Sequence, residues 1–390
     1  MNMRFWCTVM SAAALLAACG DDDESGATTT ITALTTTTVA TTTAPVTTAP
    51  ATTAPATTAP ATSVPNPNPA RNYDFNSPQV VGTGLSVPWG LAFLPDGSAL
   101  VSERTNGRIL QIAPGKDPVE VMKLPSRAIG EGGALGLAVS PNYPSDKSVF
   151  AYYTTATGNV VARFTLGGEP DVILSGIAAA STHNGGRLAF GRDGFLYVTT
   201  GDAGTPANAQ NRTSLNGKIL RITADGRPAP GNPFNGSPVW SYGHRNVQGL
   251  AWDAKGRLFA SEFGQNRLDE VNLIEAGKNY GWPNVEGTGT DPQYVNPLIT
   301  WPTSQSSPSG AAISGGFLYV GALQGKRLWQ IPITDSGLGE PGRLFDNQFG
   351  RIRSVAVAPD GALWFTTSNR DGRGSPVGSD DRVVRVLPGT

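Results

Sequence analysis

Short apolar segments recur along the chain after residue 80, and they come in pairs separated by a tight turn. Asp-Gly and Lys-Gly steps lie at several of these turns, and such steps favour β-hairpins. The first segment of the fifth pair, which starts at residue 313, is the weakest. The predicted hairpins lie at residues 89–103, 135–153, 186–200, 248–262, 313–323 and 353–367.

Each hairpin is followed by a third apolar segment, in which polar and apolar positions alternate more clearly. This alternation predicts a strand nearer the outer rim of its sheet. After residue 80 we find no long segment with the i, i+3, i+4, i+7 apolar stripe of an amphipathic helix. The third segments lie at residues 108–113, 160–166, 218–223, 270–275, 327–332 and 382–387.

Repetition at intervals of about 45 to 60 residues predicts sheets arranged radially around a channel. The expected fold class is all-β: a six-bladed β-propeller of four-stranded antiparallel sheets. Residues 79–86 are expected to complete the last blade and close the ring. A set of separate β-sandwiches is the alternative, but it leaves the regular spacing of the hairpins unexplained.

Composition agrees with this fold and narrows the range of partners. The 390 residues include 48 Gly and 31 Pro, whereas charged residues make up only 15%. This balance favours many short strands joined by turns over helices. Because the formal net charge is −1, nothing favours nucleic acid as a partner.

The segment before the propeller is predicted to direct export. In residues 1–19 Arg4 precedes a short apolar run, and Leu16–Cys19 resembles the lipobox of a bacterial lipoprotein signal peptide. This resemblance implies a lipid on the Cys19 thiol and anchoring to the outer face of the cell membrane; an ordinary secretory signal is the alternative. Residues 20–71, rich in Thr, Ala and Pro, are predicted to be a disordered linker, and residues 72–390 the propeller domain.

Polar residues converge at one end of the predicted channel. In a propeller, the innermost strand of each blade starts at the same end of the channel, and the second strand finishes there. Residues at the starts of inner strands are Glu131, His183, Asn184, Arg245, Asn246, Ser309, Arg351 and Arg353. Residues just after second strands are Glu103, Arg104, Asp202, Gly264, Gln265, Gln324 and Asn369. We therefore expect a ligand site at this end.

His183 is one of only two histidines in the chain. An imidazole titrates near neutral pH, so it can accept a proton from a substrate hydroxyl. Asp202, at the other rim position of the same blade, is placed to hydrogen-bond one ring nitrogen and fix the tautomer. The alternative is that both are satisfied structural polar groups. The glycines after His183 are typical of backbone that passes close to a ligand.

Arginines and oxygen donors at the same end favour two further kinds of ligand. Arg351 and Arg353 are two residues apart, so a strand directs both to one side. With Arg245 they favour a carboxylate or phosphate ligand, although a solvated ion pair is the alternative. The segment 262–265, with Glu270 nearby, offers oxygen ligands for a hard cation such as Ca²⁺. No phosphate-binding glycine loop opens a helix, so a Rossmann domain is unsupported.

Four long motifs, in this order, resemble the soluble PQQ-dependent aldose sugar dehydrogenases of the glucose/sorbosone dehydrogenase family. The resemblance covers nearly all of residues 80–388. It implies a six-bladed propeller that carries pyrroloquinoline quinone (PQQ) and Ca²⁺ and oxidises aldoses at C1 to lactones. The motifs are STHNGGRLAFGRDGFLYVTTGDAG (181–204), YGHRNVQGLAW (242–252), DEVNLIEAGKNYGWP (269–283) and GRIRSVAVAPDG (350–361).

The resemblance also implies roles for individual residues. His183 matches the general base that takes the C1 hydroxyl proton, and Asp202 matches the acid that orients it. Contacts with PQQ are implied for Glu131, Arg245, Asn246, Gln324, Arg351, Arg353 and Asn369. The backbone carbonyls of Gly264 and Gln265 match ligands of the active-site Ca²⁺, and Glu270 and Tyr280 match ligands of a second, structural Ca²⁺.

Three positions depart from the family pattern. Gln265 stands where a proline is usual, Gln324 where many members have a lysine, and Glu131 where a glutamine is common. Lys326, two residues beyond Gln324, is a candidate replacement for that lysine. Each change weakens the expected electrostatic hold on PQQ.

Two other functions stay open at the level of sequence. One is a non-catalytic surface propeller that binds glycans or a partner protein, because propellers serve many functions. The other is a dehydrogenase that acts on a sugar aldehyde such as sorbosone. The sequence identifies neither the sugar nor the electron acceptor.

Overall fold

The computed structural model describes residues 72–389. The predicted signal peptide, lipobox and linker lie outside these residues. Within the described range, no helix is long and apolar enough to cross a membrane. The range forms six four-stranded antiparallel sheets, which confirms the predicted six-bladed β-propeller. The first strand, β1 (Gln79–Gly82), belongs to the last blade.

The first three blades each use four consecutive strands. Blade 1 contains β2 (Pro88–Phe93), β3 (Ala99–Glu103), β4 (Arg108–Ile112) and β5 (Val119–Lys123). Blade 2 contains β6 (Ala134–Val139), β7 (Val149–Thr154), β8 (Asn159–Phe164) and β9 (Asp171–Ile177). Blade 3 contains β10 (Leu188–Phe190), β11 (Leu196–Thr200), β12 (Lys218–Ile222) and β13 (Val239–Tyr242).

The last three blades follow the same plan, with β1 added to the final sheet. Blade 4 contains β14 (Val247–Trp252), β15 (Leu258–Glu262), β16 (Leu268–Ile274) and β17 (Ile299–Pro302). Blade 5 contains β18 (Pro308–Ser314), β19 (Phe317–Ala322), β20 (Arg327–Pro332) and β21 (Gly342–Leu344). Blade 6 contains β22 (Ile352–Val357), β23 (Leu363–Thr367), β24 (Val383–Val386) and β1. The loops include a single helical turn, α1 (Tyr143–Asp146), and a 3-10 turn (Pro206–Ala209).

The ring is closed by the start of the described chain. β1 pairs with β24, with Gln79 opposite Arg385, as the sequence predicted for residues 79–86. The inner strand β2 of blade 1 contacts both β6 and β22. The Tyr73 hydroxyl donates a hydrogen bond to Ser314 Oγ at 2.7 Å, and its ring packs edge-on against Tyr319. The segment before β1 is therefore packed onto blade 5 as well as paired with blade 6.

The apolar core lies in layers between neighbouring blades. Phe150 of blade 2 and Leu196 of blade 3 belong to one buried cluster. Phe259 of blade 4 and Trp329 of blade 5 belong to another. Each sheet thus buries both faces against its neighbours, as stacked sheets do. This explains why the first two strands of each blade are almost continuously apolar.

Two details differ from the expectations drawn from sequence. β18 begins at Pro308 rather than at residue 313, because the segment before the Gly315-Gly316 turn already pairs with β19. The third strands are also more buried than their alternation suggested; β12 is buried at every position. The fourth strands cover them and carry the exposed positions instead, as β5 and β9 do.

The inner strands are joined closely at the channel mouth, the end where they begin. In blades 1, 2, 4, 5 and 6 the pairing of the first two strands shifts register there. A glycine lies at the shift in several blades, and a Cβ on Gly136 would lie only 2.1 Å from the Gly186 carbonyl oxygen. Ser102 Oγ donates across to the Leu135 carbonyl at 2.5 Å. These contacts fix neighbouring blades against each other next to the predicted site.

Candidate active site

His183 and Asp202 form a hydrogen-bonded pair at the channel mouth. The His183 Nδ1 atom lies 2.7 Å from Asp202 Oδ1. The Asp202 side chain is fully buried, whereas the imidazole keeps 18% of its surface exposed. Trp282 Nε1–H donates to Asp202 Oδ2 at 2.8 Å, and the Gly204 N–H donates to Oδ1 at 2.8 Å. Within the described chain no hydrogen bond reaches His183 Nε2, so that nitrogen is left for a ligand.

The protonation state of Asp202 is set by its neighbours. Burial by itself raises the pKa of Asp202, but the hydrogen bond and charge of His183, with the donors of Trp282 and Gly204, hold that pKa below its ordinary value. The carboxylate therefore stays ionised near neutral pH. An ionised partner on Nδ1 keeps the proton on that nitrogen and the lone pair on Nε2.

The glycines near this pair serve close approach of backbone segments. A Cβ on Gly201 would lie 1.8 Å from the His183 carbonyl oxygen, and one on Gly185 would lie 2.6 Å from Thr200 Cα. His183 itself has a φ of +56°, which is uncommon for a residue with a side chain. Contacts within the protein already require glycine at both positions after His183. Gly185 lets the segment that carries His183 approach the segment that carries Asp202, and Gly186 lets the backbone approach Leu135 and Tyr152 of blade 2. That these glycines also pass close to a ligand stays a prediction.

A cavity of about 210 Å³ lies beside the His183–Asp202 pair. The Glu131 side chain joins the two, because it lines the cavity and accepts the His183 backbone N–H at 3.1 Å. A larger cavity of about 510 Å³ is bordered by hairpin turns of blades 1 and 6 at the opposite end of the strands, and its lining contains no histidine. The charged residues that line the smaller cavity are Arg104, Glu131, Arg351, Arg353, Asp371 and Arg373.

Arg351 and Arg353 meet at one carboxylate, that of Asp371. Arg351 Nε and Nη2 both lie 2.9 Å from Asp371 Oδ2, and Arg353 Nη2 lies 3.3 Å from the same atom. Burial raises the pKa of Asp371, but the charges of Arg353 and Arg351 hold it below its ordinary value. Burial, with the nearby charge of Arg104, lowers the pKa of Arg353 to about 9. The two arginines point to one side, as predicted, but they already share a protein anion.

Two buried donors without a partner lie next to the His183–Asp202 pair, on the segment whose Arg245 carbonyl accepts the Asp202 N–H at 2.9 Å. Asn246 Oδ1 accepts the Gly185 N–H at 3.0 Å, but Asn246 Nδ2 is buried without a partner. Arg245 Nη1 donates to the Phe263 carbonyl at 3.3 Å, while Arg245 Nε has none. Buried donors are normally hydrogen-bonded. An oxygen-rich anionic ligand such as PQQ fits this set of donors.

Two residues predicted to contact the cofactor do not line the cavity. Both polar atoms of the Asn369 side-chain amide are used by the protein. Oδ1 accepts the Arg351 N–H at 2.8 Å, and Nδ2 donates to the Phe349 carbonyl at 2.9 Å. Asn369 therefore supports the Arg351 backbone. Gln324 is exposed and is not part of the cavity lining, and neither is Lys326. Leu323, which directly precedes Gln324, does line the cavity, so Gln324 and Lys326 lie on a loop at its edge, and the predicted contact of Gln324 with the cofactor stays a prediction.

Three of the four residues predicted to bind metal border a second, small cavity, and Gln265 does not line it. Gly264, Glu270 and Tyr280 line it together with Glu262 and Glu286. Burial, followed by the charge of Glu262, raises the pKa of Glu270 well above its ordinary value. Oxygen donors and crowded carboxylates suit a hard divalent cation, so the donor set fits Ca²⁺. Within residues 72–389 there is no preformed group of three or more His, Cys, Asp or Glu side chains with metal-binding spacing.

The loop after β15 is held by carboxylates on its N–H side. The Gly264 N–H donates to Asp269 Oδ1 at 2.9 Å. Glu286 Oε1 accepts the N–H groups of Gln265 and of the next three residues at 2.7 to 3.2 Å. This arrangement orients the Gly264–Gln265 peptide although position 265 carries no proline. Gln265 itself is exposed.

Comparison with known proteins identifies the family. The model of the Glucose / Sorbosone dehydrogenase family matches residues 85–376. The chain belongs to the glucose/sorbosone dehydrogenase family. This confirms the family that the four sequence motifs indicated, and it confirms the interpretation of the chain as a sugar-oxidising enzyme.

Similar members of the glucose/sorbosone dehydrogenase family include sugar dehydrogenases from several bacteria. The structure of the PQQ-bound form of aldose sugar dehydrogenase from Streptomyces coelicolor is 46% identical, with a TM-score of 0.77, and the match covers 83% of this chain and 99% of that one. Aldose sugar dehydrogenase YliI of Escherichia coli is 29% identical over 75% of this chain and 90% of its own. Quinoprotein glucose dehydrogenase B of Acinetobacter calcoaceticus is 32% identical over 58% of this chain and 56% of its own.

Sequence reasoning missed three residues in the site of this glucose/sorbosone dehydrogenase family member. Trp282 comes from the loop between β16 and β17, where no strand phase indicated the channel mouth. Asp371 lies two residues beyond Asn369, in the same loop at the channel mouth, but only Asn369 was taken from that loop as a candidate. Arg373 pairs with Glu131 at 2.9 Å and comes from the same loop as Asp371. Considering every residue of the loop after β23, and not only Asn369, would have found both Asp371 and Arg373.

Proposed function

We propose that this protein is a PQQ- and Ca²⁺-dependent dehydrogenase that oxidises the C1 hydroxyl of aldose sugars to the lactone. The observation that carries the proposal is the 2.7 Å His183–Asp202 pair beside a cavity lined by arginines. The likeness to the PQQ-bound S. coelicolor structure supports PQQ as the cofactor. Membership of the glucose/sorbosone dehydrogenase family favours this function over a non-catalytic binding propeller.

The proposed chemistry divides between a base, an orienting acid and cationic groups. When bound, PQQ supplies the ortho-quinone that accepts the C1 hydrogen as hydride. His183 Nε2 accepts the proton of the C1 hydroxyl as the C1 hydrogen departs as hydride, and the C1–O bond becomes the carbonyl of the lactone. Asp202 keeps its hydrogen bond to Nδ1 and stabilises the imidazolium that results. Arg245, Arg351 and Arg353 would hold the cofactor carboxylates.

Calcium is proposed at the positions that the resemblance assigns. The carbonyls of Gly264 and Gln265 would hold an active-site Ca²⁺, and Glu270 with the Tyr280 carbonyl a structural one. The support is chemical: oxygen donors meet at a small cavity where burial, followed by the charge of Glu262, raises the pKa of Glu270. A bound divalent cation lowers the free energy of keeping such carboxylates ionised.

Reduction of an electron-accepting dye tests the function. The purified protein, loaded with PQQ and CaCl₂, should reduce the dye with glucose as donor, and removal of Ca²⁺ by EDTA should abolish the reaction until Ca²⁺ is restored. His183→Gln should lower kcat by about 10² to 10⁴, the range for loss of a general base, with PQQ binding retained. Arg192→Gln, at a surface turn, is the control and should behave as the wild type.

Two results would contradict the proposal. One is wild-type protein that shows no dye reduction dependent on PQQ with any aldose. The other is a His183→Gln variant that keeps most of its kcat, which would refute the base assignment alone. A substrate panel that includes sorbosone separates an aldose dehydrogenase from a sugar-aldehyde dehydrogenase.

We also propose that the protein is exported and anchored by a lipid on Cys19. The support is the sequence of residues 1–19, which lie outside the described structure. Cys19→Ser should move the protein from the membrane fraction to the soluble fraction with unchanged dye reduction. Equal membrane association of the two proteins would contradict the anchor.

A further inference from the structure

Arg104 is a buried arginine without a partner, and it lines the cavity beside His183. Only 6% of the residue is exposed, and its Nε atom has no hydrogen-bond partner. Within residues 72–389 no hydrogen bond or ion pair reaches the guanidinium. The other cavity arginines are paired: Arg351 and Arg353 with Asp371, and Arg373 with Glu131.

The backbone holds Arg104 firmly at this place. Its N–H donates to the Val87 carbonyl at 3.1 Å, and its carbonyl accepts the Ala134 N–H at 3.1 Å. A Cβ on Gly133 would lie 2.0 Å from that carbonyl oxygen, so blade 2 packs directly against it. The position of the Arg104 side chain is therefore fixed by its backbone. Arg104 directly follows β3, and its backbone is hydrogen-bonded to blade 2.

Within residues 72–389 no hydrogen bond or ion pair compensates for burying the charge of Arg104. Burial of a cation without a partner is unfavourable. Burial lowers the pKa of Arg104; Asp371 and Glu131 oppose this from a distance, and Arg373 and Arg351 repel the guanidinium. Four arginines and two carboxylates line the cavity, so two positive charges remain without a counter-charge. This excess of positive charge is unfavourable in the protein without a ligand. It indicates that the cavity binds a ligand that carries negative charge.

We propose that Arg104 binds a carboxylate of PQQ and is a cofactor-binding residue of this enzyme. This inference rests on the proposed function. It also accounts for Gln324, where many family members have lysine: Gln324 is exposed and outside the cavity lining. Arg104 supplies from blade 1 the positive charge that blade 5 does not. A guanidinium offers paired N–H donors that match a carboxylate.

Calorimetric titration of the Ca²⁺-loaded protein with PQQ tests the proposal. Arg104→Met should weaken PQQ binding by about 10- to 100-fold, the worth of a hydrogen bond to a charged group. Arg104→Lys keeps the charge and should lose less. Arg192→Met removes an arginine at a turn at the other end of the blades and should bind PQQ as the wild type does.

A second measurement separates ligand binding from a structural role. Without PQQ, Arg104→Met should have a thermal midpoint equal to or up to about 2 °C above that of the wild type, because an uncompensated charge is removed. A residue needed for folding would lower the midpoint. The neutral ortho-quinone 1,10-phenanthroline-5,6-dione, which lacks carboxylates, should bind both proteins equally.

The possible outcomes distinguish failure of this inference from failure of the proposed function. Equal PQQ affinity of the wild type and Arg104→Met overturns the inference and leaves the proposed function intact. Weaker PQQ binding together with a lower midpoint in the absence of PQQ also overturns it, because the loss then reflects the fold. If Arg104→Met does not fold, Arg104→Gln takes its place. A wild-type protein that does not bind PQQ at all overturns the proposed function, and the inference with it.

Discussion

At the scale of single residues, the site depends on groups whose protonation is set by their neighbours. His183 is presented in a left-handed backbone conformation, with its Nδ1 held by Asp202. Asp202 is in turn held by Trp282, from a loop of the next blade. The imidazole therefore has one nitrogen committed to the protein and one directed to a ligand. These contacts together orient the imidazole so that Nε2, the reactive nitrogen in the proposed function, is available to a ligand.

Asp202→Asn tests the role of the ionised carboxylate. The amide no longer fixes the Nδ1–H tautomer, so we expect kcat to fall by up to about 10⁴-fold while PQQ affinity changes little. Dye reduction and PQQ titration measure the two quantities. Asp117→Asn, at an exposed turn, should change neither. A variant with nearly full kcat would contradict the orienting role.

The same substitution should alter how stability depends on pH. The pKa of Asp202 in the folded protein lies below its ordinary value. Its ionised form therefore stabilises the fold above the unfolded pKa of about 3.9, and this contribution is lost as pH falls through the folded pKa. Urea unfolding should show the largest difference between wild type and variant at pH 7 and a smaller one at pH 3. A difference independent of pH would contradict this.

At the scale of elements, the site is positioned by inner strands that approach each other through glycines. Gly90, Gly136 and Gly249 lie at register shifts near the channel mouth, and a Cβ on each would lie less than 3 Å from a neighbouring backbone atom. Ser261 Oγ, on the second strand of blade 4, donates at 2.5 Å to the Ser309 carbonyl on the inner strand of blade 5. Because backbone meets backbone here, the ends of the strands have little freedom to move. The rim residues are fixed by these junctions.

Gly136→Ala should disrupt the junction of blades 2 and 3. The new methyl group would lie 2.1 Å from the Gly186 carbonyl oxygen, and the inner strands must separate to accept it. We expect a loss of about 2 to 3 kcal/mol in the free energy of unfolding, typical of overpacking. Urea denaturation measures this loss, and dye reduction should fall as well because His183 precedes β10. Gly378→Ala, where a Cβ meets nothing within 4 Å, should leave both unchanged; similar effects of the two substitutions would contradict this account.

At the scale of the whole molecule, the site exists only because the ring is closed. Arg104 comes from blade 1, the His183–Asp202 pair from blade 3, and Arg351 and Arg353 from blade 6. The closing strand β1 pairs with β24 and so brings blade 6 next to blade 1. Residues separated by more than two hundred positions in the sequence then line one cavity. No local segment of the chain carries the charge pattern of that cavity.

The predictions that succeeded concern local patterns. Hairpins and third strands were found because a buried strand requires apolar residues, and a tight turn requires residues that tolerate its backbone angles. The predicted start of β18 was five residues too late because Ser309 and Gly310 are not apolar residues, although both are buried in the strand. Most fourth strands were not located for a related reason. β21 has only three residues, none of them buried, and β9 is longer but buried only at its last position.

The sequence by itself determined the number of blades, the closing strand, the family and the end of the channel where the polar residues meet. Each of these follows from strand period and repeat order, which are properties of neighbouring residues. Tertiary structure alone decided which polar residues pair: that Asp371 joins Arg351 and Arg353, that Asn369 faces the backbone, that Gln324 faces solvent and that Arg104 has no partner. Pairing depends on distances between blades, and those distances are set by packing between sheets that are far apart in the chain.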